Sequence, residues 1–132
     1  MSLTTAGTEV ENFIEVVLER KGYNVESQVP SSGINQDWSR IDIVIIDDDF
    51  DFAEAISLKY QDVAGTVEEK ILYEAENLSL MCHAHNYHGG TIVLCGTGWS
   101  PVKYLWFLTE YDPPSNVRII SYDDFVKEYI NN

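Results

Sequence analysis

The sequence predicts a single α/β domain, residues 1–132, in which helices pack on a β-sheet. Two observations predict this class. Apolar residues recur at helical spacing in three segments, and short apolar runs of strand length lie between those segments. The predicted order is helix, three strands, helix, two or three strands, helix. A chain of 132 residues can bury roughly two-thirds of its unfolded surface in one core.

The first predicted helix runs from about Thr8 to Lys21. Thr8 followed by Glu11 three residues later is the pattern of a capping box, and Gly22 is expected to end the helix. One apolar stripe is formed by Val10, Phe13, Ile14, Val17 and Leu18.

Three strands are expected next, at residues 23–29, 41–46 and 53–60. Pro30 is expected to end the first strand, because proline removes a backbone donor, and the polar residues 31–40 are expected to form a loop. The acidic residues Asp47, Asp48 and Asp49 separate the second and third strands, which predicts a hairpin.

The second predicted helix begins at a Thr66 cap and extends to about His85, with Glu69 completing another capping box. Its stripe comprises Val67, Ile71, Ala75, Leu78 and Cys82. Further strands are predicted at residues 91–95, 102–108 and 117–120, and Ser121 is expected to cap a last helix through Ile130.

Composition limits the functions that the chain can have. It carries 22 acidic and 8 basic residues, a formal charge of −14, and such a surface repels nucleic acid. Divalent cations, a basic subunit or a salty host could reconcile this charge with DNA binding, and acidity could also serve solubility alone. Two cysteines, no signal-peptide pattern and no membrane-spanning stretch lead us to expect a cytoplasmic protein.

Asp42 and Lys59 are the first candidates for chemistry, because isolated charges on core strands are costly to bury. An oxygen ligand for Mg²⁺ and a cation beside a phosphate are what a metal-dependent phosphodiesterase requires. Strand alternation puts Lys59 on one face with Ser57 and Gln61. The alternatives are a Lys59 side chain that extends to water, or a plain ion pair of Asp42 with Arg40 or Lys59.

Glu74 lies within the apolar stripe of the second helix, where a carboxylate needs a partner. It could hold a metal ion together with Asp42, or form a salt bridge with Lys70 or Lys59. Glu11 and Glu69 could also reach a metal site, although their capping boxes explain both without function.

Two other motifs have simpler explanations. Cys82, His85 and His88 suggest a zinc cluster, but no second ligand pair has structural-site spacing, so histidines at a helix end are the preferred interpretation. Gly96 and Gly98 follow a strand without the third glycine of a dinucleotide-binding motif, which favours a tight turn.

The order of helix, strand, Asp-bearing strand, strand ending in x-Lys and helix resembles the PD-(D/E)xK nuclease superfamily over residues 8–95. The matching residues are Glu11, Asp42 and Lys59. This resemblance implies the restriction-endonuclease-like three-layer fold, with a central mixed sheet of four to five strands flanked by helices.

The sequence departs from the family at Ser57, where the family has Asp or Glu two residues before the lysine. Some restriction enzymes of this fold have Ser there and a displaced carboxylate on the following helix. Glu74 lies where the displaced carboxylate is expected, and Glu69 is the alternative candidate. If neither carboxylate reaches a metal ion, the resemblance implies a catalytically inactive relative.

The resemblance implies a metal-dependent DNA endonuclease of restriction, homing or junction-resolving type that uses Mg²⁺ or Mn²⁺. Asp42 and Glu74 would hold the metal ion, Lys59 would act on the water or phosphate, and Gln61 and Glu11 would orient the site. Cutting both strands implies a homodimer or a second subunit. The alternative is an inactive nuclease-fold module, such as an immunity protein or partner subunit, that binds a basic protein.

Overall fold

The computed structural model describes residues 5–32, 38–47, 49, 52–63 and 67–131. The helices are α1 (Thr5–Arg20), α2 (Val67–His85), α3 (Pro101–Thr109) and α4 (Tyr122–Phe125), which continues as a π-helical turn (Val126–Ile130). The strands are β1 (Asn24–Ser32), β2 (Trp38–Asp47), β3 (Phe52–Tyr60), β4 (Gly89–Cys95) and β5 (Val117–Ser121).

The five strands form one mixed sheet in the order β1-β2-β3-β4-β5. The first three are antiparallel, and β2 and β3 pair from Asp47 opposite Phe52, which confirms the hairpin predicted around the acidic turn. The β3–β4 and β4–β5 pairs are parallel. Parallel neighbours need a crossover connection, and α2 and α3 supply the two crossovers.

Apolar side chains cover both faces of the sheet and create two buried clusters. One cluster joins α1 and α4 to the sheet through Ile14, Leu18, Ile43, Ile45, Ile56, Leu58, Val93, Cys95 and Phe125. The other joins α2 and α3 to the opposite face through Ile41, Val44, Ala55, Ile71, Ala75, Leu78, Met81, Cys82, Ile92, Leu94, Trp99 and Phe107, among others. The three-layer arrangement expected from the family resemblance is confirmed.

The strand predicted at residues 102–108 is wrong, because these residues form α3. Their richness in aromatic residues favoured a strand. Two features favour the helix. Pro101 occupies a first-turn position, where its missing N–H costs nothing. In addition, the chain must cross over from β4 to reach the parallel strand β5.

Pro30 does not end β1, contrary to prediction, because the strand continues to Ser32 and Pro30 pairs with Arg40. Since β1 lies at the edge of the sheet, the missing proline donor can be tolerated there. The predicted loop over residues 31–40 is therefore shorter, and its residues 33–37 lie outside the described part of the chain.

Two helix boundaries agree with their predicted signals and one differs. Gly22, at φ +98°, follows α1, and the side chain of Ser121 accepts a hydrogen bond from the Asp124 N–H at the start of α4. However, α1 begins at Thr5, so Thr8 lies inside the helix and cannot cap it. The predicted Thr66 cap of α2 falls outside the described residues.

Among the described residues, no helix is both long enough and apolar enough to cross a lipid bilayer.

Candidate active site

The candidate site lies where β2 stops pairing with β3 and where its pairing with β1 is interrupted at one position. On one side, Ser27 pairs with Ile43 and Val29 with Ile41, which places Gln28 opposite Asp42. The β2–β3 ladder runs only as far as Ile43, and there the Asp42 side chain replaces backbone pairing. Its Oδ2 accepts a hydrogen bond from the Leu58 N–H at 2.7 Å.

The side chains of β2 change face at this point. Residues two apart in a regular strand share a face. Ile43 nevertheless packs in the cluster beneath α1, whereas Ile41 packs in the cluster beneath α2. In β1, Val25 and Val29 divide between the two clusters in the same way. The backbone change at Gln28 and Asp42 therefore opens the sheet to side chains from both helical layers.

The charges of Asp42, Lys59 and Glu74, three of the predicted site residues, interact here. Lys59 Nζ lies 3.2 Å from Glu74 Oε2, and each side chain is about one quarter exposed, at 23% and 27%. Burial raises the pKa of the Asp42 carboxyl; the Lys59 ammonium and the Leu58 N–H oppose that rise, and the Glu74 carboxylate adds to it. The charge of Asp42 is thus influenced by both partners of the ion pair.

Glu11 reaches the same region from α1. The side-chain amide of Gln28 donates a hydrogen bond to Glu11 Oε1. Burial and then the nearby Asp42 charge raise the pKa of Glu11, with a smaller contribution from Glu15, while the Gln28 hydrogen bond lowers it. The residue is 5% exposed. The capping-box explanation of Glu11 is therefore wrong, because its carboxylate faces the site.

Glu11 Oε2 is buried and has no hydrogen-bond partner among the described residues. Nearly all buried polar atoms in proteins have a partner, so such an oxygen requires an explanation. An ionised oxygen in this position is an acceptor available to a cation or a proton donor.

Ser57 and Gln61 are both buried on β3 and just beyond it. The Gln61 side-chain amide donates to Glu68 Oε1 and to the Gly98 carbonyl, each at 2.9 Å, and its Oε1 has no partner among the described residues. Gly98 in turn donates its N–H to the Gln61 carbonyl at 2.7 Å. Gln61 thus joins the end of β3 to the glycine turn that the sequence predicted.

The two candidate carboxylates of α2 occupy different environments. Glu74 pairs with Lys59, whereas Glu69 is exposed on the helix surface. Of the two salt bridges that were the alternatives to metal binding by Glu74, the structure contains the one with Lys59 and not the one with Lys70.

The sequence analysis missed Gln28 and Glu68. Glu68 is buried and accepts hydrogen bonds from the Ser100 N–H and hydroxyl as well as from Gln61. Burial acts to raise its pKa, but these hydrogen bonds and the Lys103 ammonium together lower it. Glu68 therefore holds the start of α3 against α2. No sequence signal distinguished it from its exposed neighbour Glu69.

The histidine-rich segment at the end of α2 does not assemble a zinc site. His85 stacks on Tyr87 with ring centroids 4.9 Å apart, and His88 Nδ1 accepts a hydrogen bond from the Ala53 N–H at 3.2 Å. Within the described ranges, no group of three or more His, Cys, Asp or Glu side chains is arranged to hold a metal ion. The zinc hypothesis is accordingly wrong.

The region around Asp42 fits Mg²⁺ better than a metal that needs a complete protein cage. Mg²⁺ usually keeps several waters and takes only one or two carboxylates together with substrate phosphate oxygens. Asp42 and Glu74 would supply hard oxygen donors, and Glu11 Oε2 is a buried acceptor close to Asp42. The residues present therefore fit a hydrated divalent cation.

The fold and this site define an α/β domain of nuclease type. The family model described as the PD-(D/E)XK nuclease superfamily domain matches residues 3–129. The chain therefore belongs to the PD-(D/E)XK nuclease superfamily, whose members are in general hydrolytic nucleases that use divalent metal ions. The resemblance inferred from Glu11, Asp42 and Lys59 is confirmed at the level of the superfamily.

Among solved structures, the chain is similar to one titled "Crystal Structure of Protein of Unknown Function AF1548", with a TM-score of 0.53 and 14% sequence identity. The match covers 86% of this chain and 57% of that chain, so this chain spans little more than half of its length. At this identity, the similarity shows the fold alone. A search of curated proteins finds no match.

Proposed function

We propose that this protein is a DNA endonuclease that hydrolyses phosphodiester bonds with Mg²⁺ or Mn²⁺. The observation that supports this proposal is the meeting of Asp42 with the Lys59–Glu74 ion pair at the point where β2 leaves β3. A half-buried carboxylate beside a partly exposed ammonium is suited to a phosphate group and its counter-cation.

Asp42 and Glu74 would hold the metal ion, which when bound polarises the phosphate and lowers the pKa of a coordinated water. The Leu58 N–H fixes one oxygen of Asp42 at 2.7 Å. That hydrogen bond fixes the orientation of the carboxylate, so its other oxygen has a defined direction.

Lys59 would act on the attacked phosphate. Its ammonium is held at 3.2 Å by Glu74 and remains 23% exposed, so it is oriented without being sealed from substrate. A cation in this position stabilises the negative charge that develops on the phosphate oxygens, and it can also exchange a proton with the attacking water.

Glu11 and Gln61 would orient the site from its edges. Glu11 presents a buried oxygen close enough to Asp42 for their charges to interact. Gln61 is held by Glu68 and Gly98, and it keeps the end of β3 in place two residues after Lys59.

The acidity of the chain requires that cations accompany DNA binding. Eight Lys and Arg residues stand against 22 acidic residues, so divalent ions or a basic partner subunit would offset the repulsion of the DNA backbone. Cleavage of both strands of a duplex by one site per chain favours a homodimer or a hetero-subunit complex.

The surface of α3 supports the presence of a partner subunit. Val102, Leu105 and Trp106 are 81%, 60% and 42% exposed, respectively, and apolar side chains grouped on one helix are typical of an interaction surface. The buried free thiols of Cys82 and Cys95 are consistent with the reducing cytoplasm.

Purified protein incubated with supercoiled plasmid and Mg²⁺ or Mn²⁺ tests the proposal. We expect nicked or linear products that disappear in EDTA and in the Asp42→Asn and Lys59→Ala variants. Lys127→Ala is the matched control, because Lys127 is an exposed lysine on the C-terminal turn. Intact plasmid with both metals across a range of salt concentrations would exclude the proposed activity.

A second candidate is a catalytically inactive interaction module that binds a basic protein, as an immunity protein or partner subunit does. Ser57 in place of the family carboxylate and the charge of −14 favour it. Calorimetric titration with Mn²⁺ separates the two candidates. Mn²⁺ binding that is lost in Asp42→Asn supports the nuclease, whereas no binding by the wild-type protein supports the module.

A further inference from the structure

Gln28 has an unusual backbone conformation beside the candidate site. Its φ is +52°, in the left-handed region that residues other than Gly, Asn and Asp rarely adopt. Unusual backbone conformations of this kind persist only where surrounding structure imposes them, and they occur preferentially at functional sites.

The location of Gln28 relates this conformation to Asp42. The two residues lie opposite each other between the pairs Ser27–Ile43 and Val29–Ile41, where both strands change the face of their side chains. The register of β1 and β2 is the same on both sides of this position, so the interruption is confined to Gln28 and Asp42. The left-handed conformation of Gln28 thus accompanies the change of face at which Asp42 leaves the β2–β3 ladder and accepts the Leu58 N–H.

The side chain of Gln28 acts on a different residue. Its amide donates a hydrogen bond to Glu11 Oε1, which leaves Oε2 as the buried oxygen without a partner among the described residues. Without that donor, the Glu11 carboxylate could rotate, and neither of its oxygens would have a fixed direction toward Asp42.

We infer that Gln28 is a positioning residue, whose left-handed backbone sets the change of strand face at Asp42 and whose amide orients Glu11 so that its free oxygen lies beside the cation site. This inference rests on the proposed metal-dependent function. It concerns a residue that does not itself touch the substrate or the metal ion, because its amide is used by Glu11.

The two contributions of Gln28 can be separated by substitution. Gln28→Met keeps a side chain of similar length and removes the donor. Gln28→Gly also removes the donor, but glycine adopts a positive φ readily and so preserves the backbone. Ser27→Ala is the matched control, because Ser27 is an exposed neighbour in the regular part of β1.

The measurements are Mn²⁺ affinity by calorimetry and urea unfolding in EDTA. We expect Gln28→Met and Gln28→Gly to weaken Mn²⁺ binding by about 10- to 100-fold, the range found when a residue that orients a metal ligand is lost. Gln28→Gly should unfold at a urea concentration at least as high as Gln28→Met, and Ser27→Ala should bind Mn²⁺ as the wild type does.

An exchanged pair distinguishes positioning from simple stabilisation. In the double variant Glu11→Gln/Gln28→Glu, the hydrogen bond can re-form with its donor and acceptor reversed. We expect the urea midpoint to recover relative to Gln28→Glu alone, while Mn²⁺ affinity stays low because residue 11 no longer offers a carboxylate oxygen.

Wild-type affinity in both Gln28→Met and Gln28→Gly, with binding still abolished by Asp42→Asn, would overturn the inference and leave the nuclease proposal intact. Recovery of Mn²⁺ affinity in the exchanged pair would also overturn it, since the bond alone would then be sufficient. Absence of Mn²⁺ binding by the wild type would overturn both the inference and the proposed function.

Discussion

Two clusters of carboxylate side chains lie toward opposite ends of β3, and they differ in how completely their oxygens are paired. Glu54, near the start of the strand, accepts hydrogen bonds from the Tyr129 hydroxyl at Oε1 and from Thr91 at Oε2. Arg118 lies 3.8 Å from the same Oε2. Both oxygens of Glu54 are therefore satisfied within the protein.

The group around Asp42 lies near the other end of the strand; Lys59, which belongs to it, is five residues and about 16 Å from Glu54. Burial is the largest influence on Asp42, Glu11 and Glu54, and it raises the pKa of all three. Glu11 Oε2, however, has no partner within the described part of the chain.

This difference in the pairing of their oxygens distinguishes the structural network around Glu54 from the candidate site around Asp42. A satisfied network such as that of Glu54 stabilises the attachment of the C-terminal helix to the sheet. An unsatisfied buried oxygen costs stability, and a water molecule or a cation can complete it.

The largest expected difference between the two groups is in catalysis. Asp42→Asn should reduce plasmid cleavage by about 10³-fold, or about 4 kcal/mol in activation free energy, because a neutral amide binds a divalent cation more weakly than a carboxylate does. Glu54→Gln should cleave at the wild-type rate in the same assay. Equal losses in the two variants would mean that the comparison does not identify the site.

The next largest expected effect is a loss in the free energy of unfolding, and it is expected at Glu54. Glu54→Ala removes the acceptor for Tyr129 and Thr91, and we expect the free energy of unfolding to fall by about 2–4 kcal/mol. Urea denaturation at pH 7 measures it. A loss below about 0.5 kcal/mol, the range of ordinary surface substitutions, would contradict a structural role for the network.

Asp42→Asn should have the opposite effect on stability, raising the free energy of unfolding by about 1 kcal/mol at neutral pH. Because burial raises the pKa of Asp42, the folded state holds this proton more tightly than the unfolded state does. The wild type therefore loses stability as pH rises through the folded-state pKa, whereas the variant lacks this loss.

Urea unfolding from pH 4 to pH 8 measures this difference in stability between Asp42→Asn and the wild type. The advantage of the variant should grow with pH and then level off above the folded-state pKa of Asp42. An advantage that shrank with rising pH would have the wrong sign for a carboxyl group whose pKa is raised.

The smallest expected change is at the Lys59–Glu74 pair. Both side chains are partly exposed, so Glu74→Gln should alter the free energy of unfolding by less than about 1 kcal/mol. The same variant should weaken Mn²⁺ binding if Glu74 is a metal ligand. Unchanged affinity with Glu74→Gln and reduced affinity with Glu69→Gln would transfer the ligand role to Glu69.

Several features of the fold follow from local patterns in the sequence. The spacing of apolar residues predicted α1 and α2, and the acidic turn between two apolar runs predicted the β2–β3 hairpin. The same patterns failed at α3, since a short, partly exposed helix rich in apolar and aromatic residues resembles a buried strand.

The candidate site was also partly predictable. Asp42, Lys59 and Glu74 were conspicuous because each is a charge in an otherwise apolar element. Glu11 was harder to interpret, because its spacing from Thr8 imitates a capping box that the true start of α1, at Thr5, rules out.

The sequence by itself determined the alternation of helices and strands, and it determined which charges had to be buried. The tertiary structure alone decided that Gln28 faces Asp42 and binds Glu11, and that Gln61 binds Glu68. The physical reason is that hydrophobic periodicity records only which face of an element is buried. Strand register and the point at which β2 stops pairing with β3 depend on contacts between distant residues, which no local pattern encodes.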